Sequence, residues 1–123
     1  MNKLKEFYCK HIYKPHKVSF VCTFNIRNRY NEAELPYELK TYGFYKKEKD
    51  AINIVLTNAT DIYEYYYRYA VVETVYEGLY PTIAEGGIHQ IFYEWNIDEK
   101  CWVEIDNPLS IKMQNHHSYK FAF

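Results

Sequence analysis

Arginine is scarce: only Arg27, Arg29 and Arg68 occur, and 15 basic residues face 16 acidic ones for a net charge of −1. A nucleic-acid binder draws most of its affinity from neutralising phosphates along a basic stripe. No such stripe exists here, so no nucleic-acid partner is expected. The lysines near the start (Lys3, Lys5, Lys10, Lys14, Lys17) read as a solvated strand surface. Cysteine is limited to Cys9, Cys22 and Cys101, an odd number without CxxC spacing, so reduced, buried thiols are expected. Long apolar runs are missing as well. Nothing approaches the roughly 18 residues of a membrane span, and the first fourteen residues lack the apolar core of a secretion signal. No membrane partner and a cytoplasmic location are the resulting expectations, in which the sequon Asn58-Ala59-Thr60 has no glycosylation meaning. Nucleophile elbow, P-loop and Rossmann glycine pattern are all absent, and no cofactor is expected.

What the chain has in excess is aromatic side chains: 20% of its 123 residues, with 15 tyrosines. Two readings compete. Tyr, Ile, Lys and Asn are abundant together, as in proteins from AT-rich genomes, so Tyr can simply replace Phe and Leu in a core. Alternatively, Tyr is a residue of recognition surfaces, rigid, apolar and polar-tipped. The length suits one domain, 1–123, able to bury a core without disulfide or metal.

The chain is organised around Asp61 to Pro81, DIYEYYYRYAVVETVYEGLYP. Between Tyr69 and Tyr76 every residue is β-branched, aromatic or small except Glu73, the pattern of a central strand buried on both faces. Residues 4–13 alternate imperfectly as a first strand. From Lys17 to Arg27 the alternation is clean: Val18, Phe20, Cys22, Phe24 and Ile26 share one buried face, and Ser19, Val21, Thr23 and Asn25 a wetter one. Asn28 to Pro36 reads as a loop and Glu38 to Tyr45 as a strand. Ala51, Ile52, Val55, Leu56 and Ala59 then mark an amphipathic helix over about 47–59. Glu48 and Asp50 suit its first turn, although Lys46 and Lys47 offer no cap.

A short helical turn at Ile62 and Tyr63 leads into the strand Arg68 to Tyr76. Residues 77–87 form a loop with Gly78, Pro81 and the pair Gly86-Gly87. His89 to Asn96 alternates, with Ile91, Tyr93 and Trp95 opposite Phe92 and Glu94. A hairpin at Ile97 to Lys100 returns through Cys101 to Ile105, and His117 to Phe123 forms a last strand whose aromatics dock on the core. The expected fold is α+β: one antiparallel sheet of five to seven strands with one main helix on a face.

The stretch GFYKKEKDAINIVLTNATDIYEYYYRYAVVETVYEGLYP, followed by FYEWN, resembles a family of small bacterial and phage proteins of no assigned activity. Those relatives run from a Gly-aromatic strand through an Ala-rich helix to a Y-x-Y-A-V-I-E strand and an EGLYP turn. The resemblance covers Gly43 to Asn96. It departs at the helix start, where Lys46 and Lys47 replace Ser or Thr, and at the Lys-Phe-Ala-Phe terminus. It implies the fold and a bacterial or mobile-element origin, and no activity.

Candidate chemistry is sparse. Cys9, His11 and His16 match no closed zinc spacing and sit among lysines, so no metal is expected; the pair His116-His117 is given no role. The cysteines lie inside strands, as inert thiols do. Glu73 and Glu94 are mid-strand carboxylates that could share a face as an acid/base pair, or else bond a Tyr hydroxyl or Arg68. The structural alternative is favoured, and no catalytic residue is assigned.

The expected binding site is a cleft of Tyr63, Tyr65, Tyr66, Tyr67 and Tyr69 with Arg68, Glu73, Tyr80 and Trp95 and the loop Gly78 to Gly87. Rings stack on bases, Arg68 takes a phosphate, and a glycine loop offers N–H groups. Two functions fit. A phage or mobile-element anti-defence protein would sequester a cyclic or ADP-ribose-type nucleotide, in a pocket placed between copies of a homo-oligomer. A stand-alone immunity or inhibitor protein would instead cover a toxin or effector with an aromatic patch.

Overall fold

The computed structural model describes residues 16–27, 35–76, 88–109 and 121. Five strands form one antiparallel sheet: β1 (Lys17–Arg27), β2 (Leu35–Tyr45), β3 (Tyr69–Tyr76), β4 (Ile88–Asn96) and β5 (Cys101–Ile105), in the order β2-β1-β3-β4-β5. One helix, α1 (Glu48–Leu56), packs on one face, giving an α+β fold. The expected strands at 4–13 and 117–123 lie outside the described residues, apart from Phe121.

β3 is the central strand. Ala70 through Val75 are all buried, because β1 and β4 pair along both edges and both faces are covered. Ala70 and Val72 join Val21, Ala51, Val55, Ile62, Tyr67, Tyr93 and Trp102 in the core beneath α1. Val71 joins Cys22, Phe24, Phe92, Leu109 and Phe121 on the other face. The alternation in β1 is as expected, but its second face is not wetter. Ser19, Val21 and Thr23 are fully buried, since α1 covers them, and Ser19 Oγ lies 2.7 Å from Thr74 Oγ1 within that layer.

β2 begins at Leu35, three residues before the expected strand, so Pro36 is a strand residue. Proline is tolerated because β2 is an outer strand of the described sheet and needs no outward N–H there. Two register shifts against β1, at Val21/Cys22 and Thr23/Asn25, each place one extra residue on β2; Glu38 (φ 56°) sits at the second. α1 ends at Leu56, short of the expected Ala59. The Thr57 hydroxyl bonds back to the Asn53 carbonyl (2.7 Å), and Asn58 turns left-handed (φ 46°). Ala51 and Val55 are buried as the periodicity implies, whereas Leu56 is half exposed and not part of the buried stripe.

Cys22 is a buried thiol whose pKa is pushed up to about 11 by burial, opposed by the Thr41 hydroxyl 3.5 Å away and reinforced by Glu73. Cys101 departs from expectation, being only half-buried in an outer strand. Cys9 and His11 lie outside the described residues, and His16 is exposed. Among the described residues no helix is long and apolar enough to cross a membrane, and no three His, Cys, Asp or Glu converge on a metal position.

Candidate functional site: an aromatic platform on a left-handed turn

The segment from Thr57 to Arg68 carries α1 back to β3 through an irregular turn. Five of its residues have positive φ without being glycine: Asn58 (46°), Thr60 (53°), Asp61 (54°), Glu64 (54°) and Tyr65 (53°). Asn and Asp tolerate this region; a bulky Tyr does so at a cost on the order of 1–2 kcal/mol. Local hydrogen bonds hold the path: the N–H groups of Glu64, Tyr66 and Tyr67 donate to Asp61 (3.1 Å), Tyr63 (3.0 Å) and Tyr63 (3.1 Å) carbonyls.

Asn58 is the hub of this turn. Its Oδ1 accepts from the Tyr63 N–H (3.0 Å) and from Trp102 Nε1–H (3.2 Å), and its Nδ2 donates to Asp61 Oδ1 (3.1 Å). Tyr63 is thereby set face to face on Trp95, centroids 4.0 Å apart at 11°. Trp102, directly across from Trp95 in the ladder, meets both rings edge-on, at 5.3 Å from Trp95 and 6.1 Å from Tyr63. Tyr65 lies on the outer side of this stack, 5.4 Å from Tyr63 and 86% exposed. Tyr66 is 53% exposed, and its carbonyl accepts from Asn25 Nδ2 (3.2 Å) while Asn25 Oδ1 takes the Arg68 N–H (2.9 Å).

The residues expected to share a cleft are thus divided. Tyr63, Tyr65 and Trp95 come together, with Tyr66 beside them. Tyr67 is buried in the core under α1, its ring edge-on to Tyr66 at 5.0 Å. Tyr69 stacks on Phe24 (5.5 Å) on the other face of the sheet. Arg68 goes with Tyr69: its Nε donates to Glu94 Oε2 (2.9 Å), and its guanidinium sits 5.4 Å over the Tyr69 ring. Glu73 is fully buried on that same far face, accepting from Gln90 Nε2 (2.7 Å) and the Phe121 N–H (2.9 Å). Tyr80 and the loop Gly78 to Gly87 lie outside the described residues.

Glu73 and Glu94 do share a face, but they are no pair. Glu94 stands opposite Tyr69 and Glu73 opposite Gln90, four residues apart along β3 or about 13 Å. The ion pairs around the platform are internal to it. Lys40 Nζ meets Glu64 Oε1 at 2.8 Å and lies 4.7 Å over the Tyr42 ring, and the hydrogen bond raises the pKa of Lys40 and lowers that of Glu64. The Tyr42 hydroxyl donates to the Ile62 carbonyl (3.1 Å), and burial pushes its pKa up to about 12.

Sequence reasoning missed three participants. Asn58 showed only a sequon, Trp102 only an apolar strand position, and Glu48 only a helix first turn. Glu48 Oε2 in fact accepts from the Thr74 hydroxyl (2.7 Å) and from His89 Nδ1–H (2.9 Å), tying α1 to β3 and β4. These partners are 26 and 41 residues away in sequence, so no local pattern betrays them.

No protein-family model, no curated protein and no solved structure matches the chain, and the reading of its function rests on the residues themselves.

Proposed function

We propose that the protein is a non-catalytic recognition module that covers a protein partner, in the manner of an immunity or inhibitor protein, through Tyr65 and Tyr66. The observation that carries this reading is Tyr65: a large ring held outward, 86% exposed, on left-handed backbone, above a fixed stack of Tyr63, Trp95 and Trp102. Rigid exposed aromatics lose little entropy on contact and anchor interfaces as hot spots. Strained backbone that presents such a ring is a feature found where recognition outweighs stability. Beside the platform, Lys40 and Glu64 are already paired with each other.

Sequestration of a nucleotide is the less supported reading. Arg68, the residue expected to take a phosphate, is engaged by Glu94 on the opposite face from the Tyr63–Trp95 stack and does not adjoin those rings.

The test is co-purification with the product of a neighbouring toxin or effector gene, followed by titration of variants. Tyr65→Ala and Tyr66→Ala are each expected to weaken the complex by about 2 kcal/mol, some thirtyfold. A melting-temperature rise with cyclic or ADP-ribose-type nucleotides, and none with a protein partner, would reverse the ranking.

A further inference from the structure

The two outer strands of the described sheet end it differently. β2 is broken along its length: Pro36 is a strand residue, two register shifts interrupt its pairing with β1, and Glu38 turns left-handed (φ 56°) at the second. Proline and bulges are devices that keep an edge from pairing with another strand. β5 carries neither. Cys101 to Ile105 contains no proline, and its pairing with β4 runs from Phe92↔Ile105 to Asn96↔Cys101 without a shift.

Which groups β5 presents follows from the ladder. The Trp95 N–H donates to the Arg68 carbonyl (3.0 Å), so the main chain of Trp95 points to the β3 side of β4. Main-chain direction alternates along a strand, which turns Phe92, Glu94 and Asn96 toward β5, and their partners Ile105, Val103 and Cys101 face back. The N–H and C=O groups of Trp102 and Glu104 therefore point outward, and no strand pairs with them among the described residues. Val103 and Glu104 also expose their side chains, Val103 at 41%.

Such an edge is complementary to itself. When β5 lies antiparallel to a second β5 with Val103 opposite Val103, Trp102 faces Glu104 of the second copy and Glu104 faces its Trp102. Each outward N–H then meets a carbonyl, and all five residues of the strand are matched. Val103 meets its copy on the axis, on the face away from Trp102 and α1, as an apolar cross-strand pair. One step beyond the strand, Lys100 comes opposite Asp106 of the second copy, and the reverse holds on the other side of the axis. Both residues are exposed, and neither forms an ion pair among the described residues. Other registers fit less well. An axis at Glu104 sets two carboxylates opposite each other, and an axis at Trp102 runs the pairing into the left-handed Lys100 (φ 54°).

We propose that β5 is a self-association edge, where two copies of this chain join antiparallel about Val103 into one continuous sheet with five strands from each. A foreign strand would meet the main-chain groups as well; only a second copy supplies Lys100 and Asp106 at matching positions on both sides. The axis is perpendicular to the sheet, so both tyrosine platforms come to one face. The inference does not rest on what those platforms bind.

The experiment is sedimentation equilibrium of the whole chain from micromolar to millimolar concentration. The mass is expected to rise with concentration from 15.0 kDa toward twice that value. Glu104→Pro removes an outward N–H and leaves the ladder to β4 intact, so it is expected to stay at 15.0 kDa throughout with its melting temperature held. Lys100→Glu is expected to weaken association about tenfold, and the double variant Lys100→Glu, Asp106→Lys to restore it. That rescue decides the matter should the proline variant fail to fold. A mass of 15.0 kDa at every concentration overturns the proposal. So does a dimer undiminished in folded Glu104→Pro or in Lys100→Glu, or one that the double variant does not recover. Loss of the dimer in Tyr65→Ala would also overturn it, by putting the contact at the platform.

Discussion

In the proposed reading, Tyr65 sets recognition against stability within one side chain. Its φ of 53° belongs to glycine or asparagine, and its ring touches only the outer side of Tyr63 in the aromatic stack. Tyr65→Gly is therefore expected to hold or raise the melting temperature, by up to ~1 kcal/mol in stability, while partner binding falls. A drop of several degrees would show that the ring is structural. Glu73 is the opposite case. It is fully buried, and its carboxylate holds the Gln90 amide and the Phe121 N–H. Glu73→Ala strands at least these two buried donors and is expected to cost about 3 kcal/mol in urea unfolding, while Glu73→Gln, which keeps an acceptor oxygen, costs less. Glu48 adds a pH dependence. Burial opposes its charge, but the hydrogen bonds from Thr74 and His89 and the charges of His89 and Lys17 outweigh it and hold its carboxyl below the ordinary 4.5. Its contribution is thus present above pH 4.5 and is lost as pH falls through the lowered pKa. Glu48→Gln is expected to flatten that acid limb of thermal stability; an unchanged limb would count against the assignment.

At the level of elements, the turn between α1 and β3 is held chiefly by Asn58. Asn58→Ala removes three side-chain hydrogen bonds and places a β-carbon residue at φ 46°, so about 2–3 kcal/mol of destabilisation is expected. Trp102 Nε1 loses its acceptor and Tyr63 its seat, which tryptophan fluorescence should report; Asn58→Gly keeps the backbone path and isolates the hydrogen-bond loss. The strands themselves were legible from composition and period. β1 and β4 alternate as a pleated strand must, and the run of β-branched, aromatic and small residues in β3, broken only by Glu73, announced burial on both faces. What the sequence could not carry was pairing. The face shared by Glu73 and Glu94 depends on register, and the end of α1 depends on a left-handed Asn58 that looks like helix continuation in a propensity reading. The tyrosine run looked like one cluster because its members are adjacent; the shift from turn to strand at Arg68 sends Tyr67 and Tyr69 to opposite sides of the sheet.

The molecule as a whole has two cores separated by one sheet, and they are closed by different means. The first is sealed by α1, which follows β2 directly in the chain. The second is sealed from far away: Phe121 packs at 4.6 Å on Phe24 and 5.6 Å on Phe92, and is buried. Phe121→Ala is expected to cost about 3–5 kcal/mol and to expose Cys22 and Val71 to hydrogen exchange or thiol labelling, with the face under α1 left protected. Equal loss of protection on both faces would mean that the two cores unfold as one.

The seal made by Phe121 also fixes an order of events during synthesis. The chain leaves the ribosome from its N-terminus, so all five described strands are outside before residue 121 emerges. Until then Phe24 and Phe92 lack the ring that packs on them in the finished fold, and an apolar face so uncovered is the kind of surface that chaperones grip.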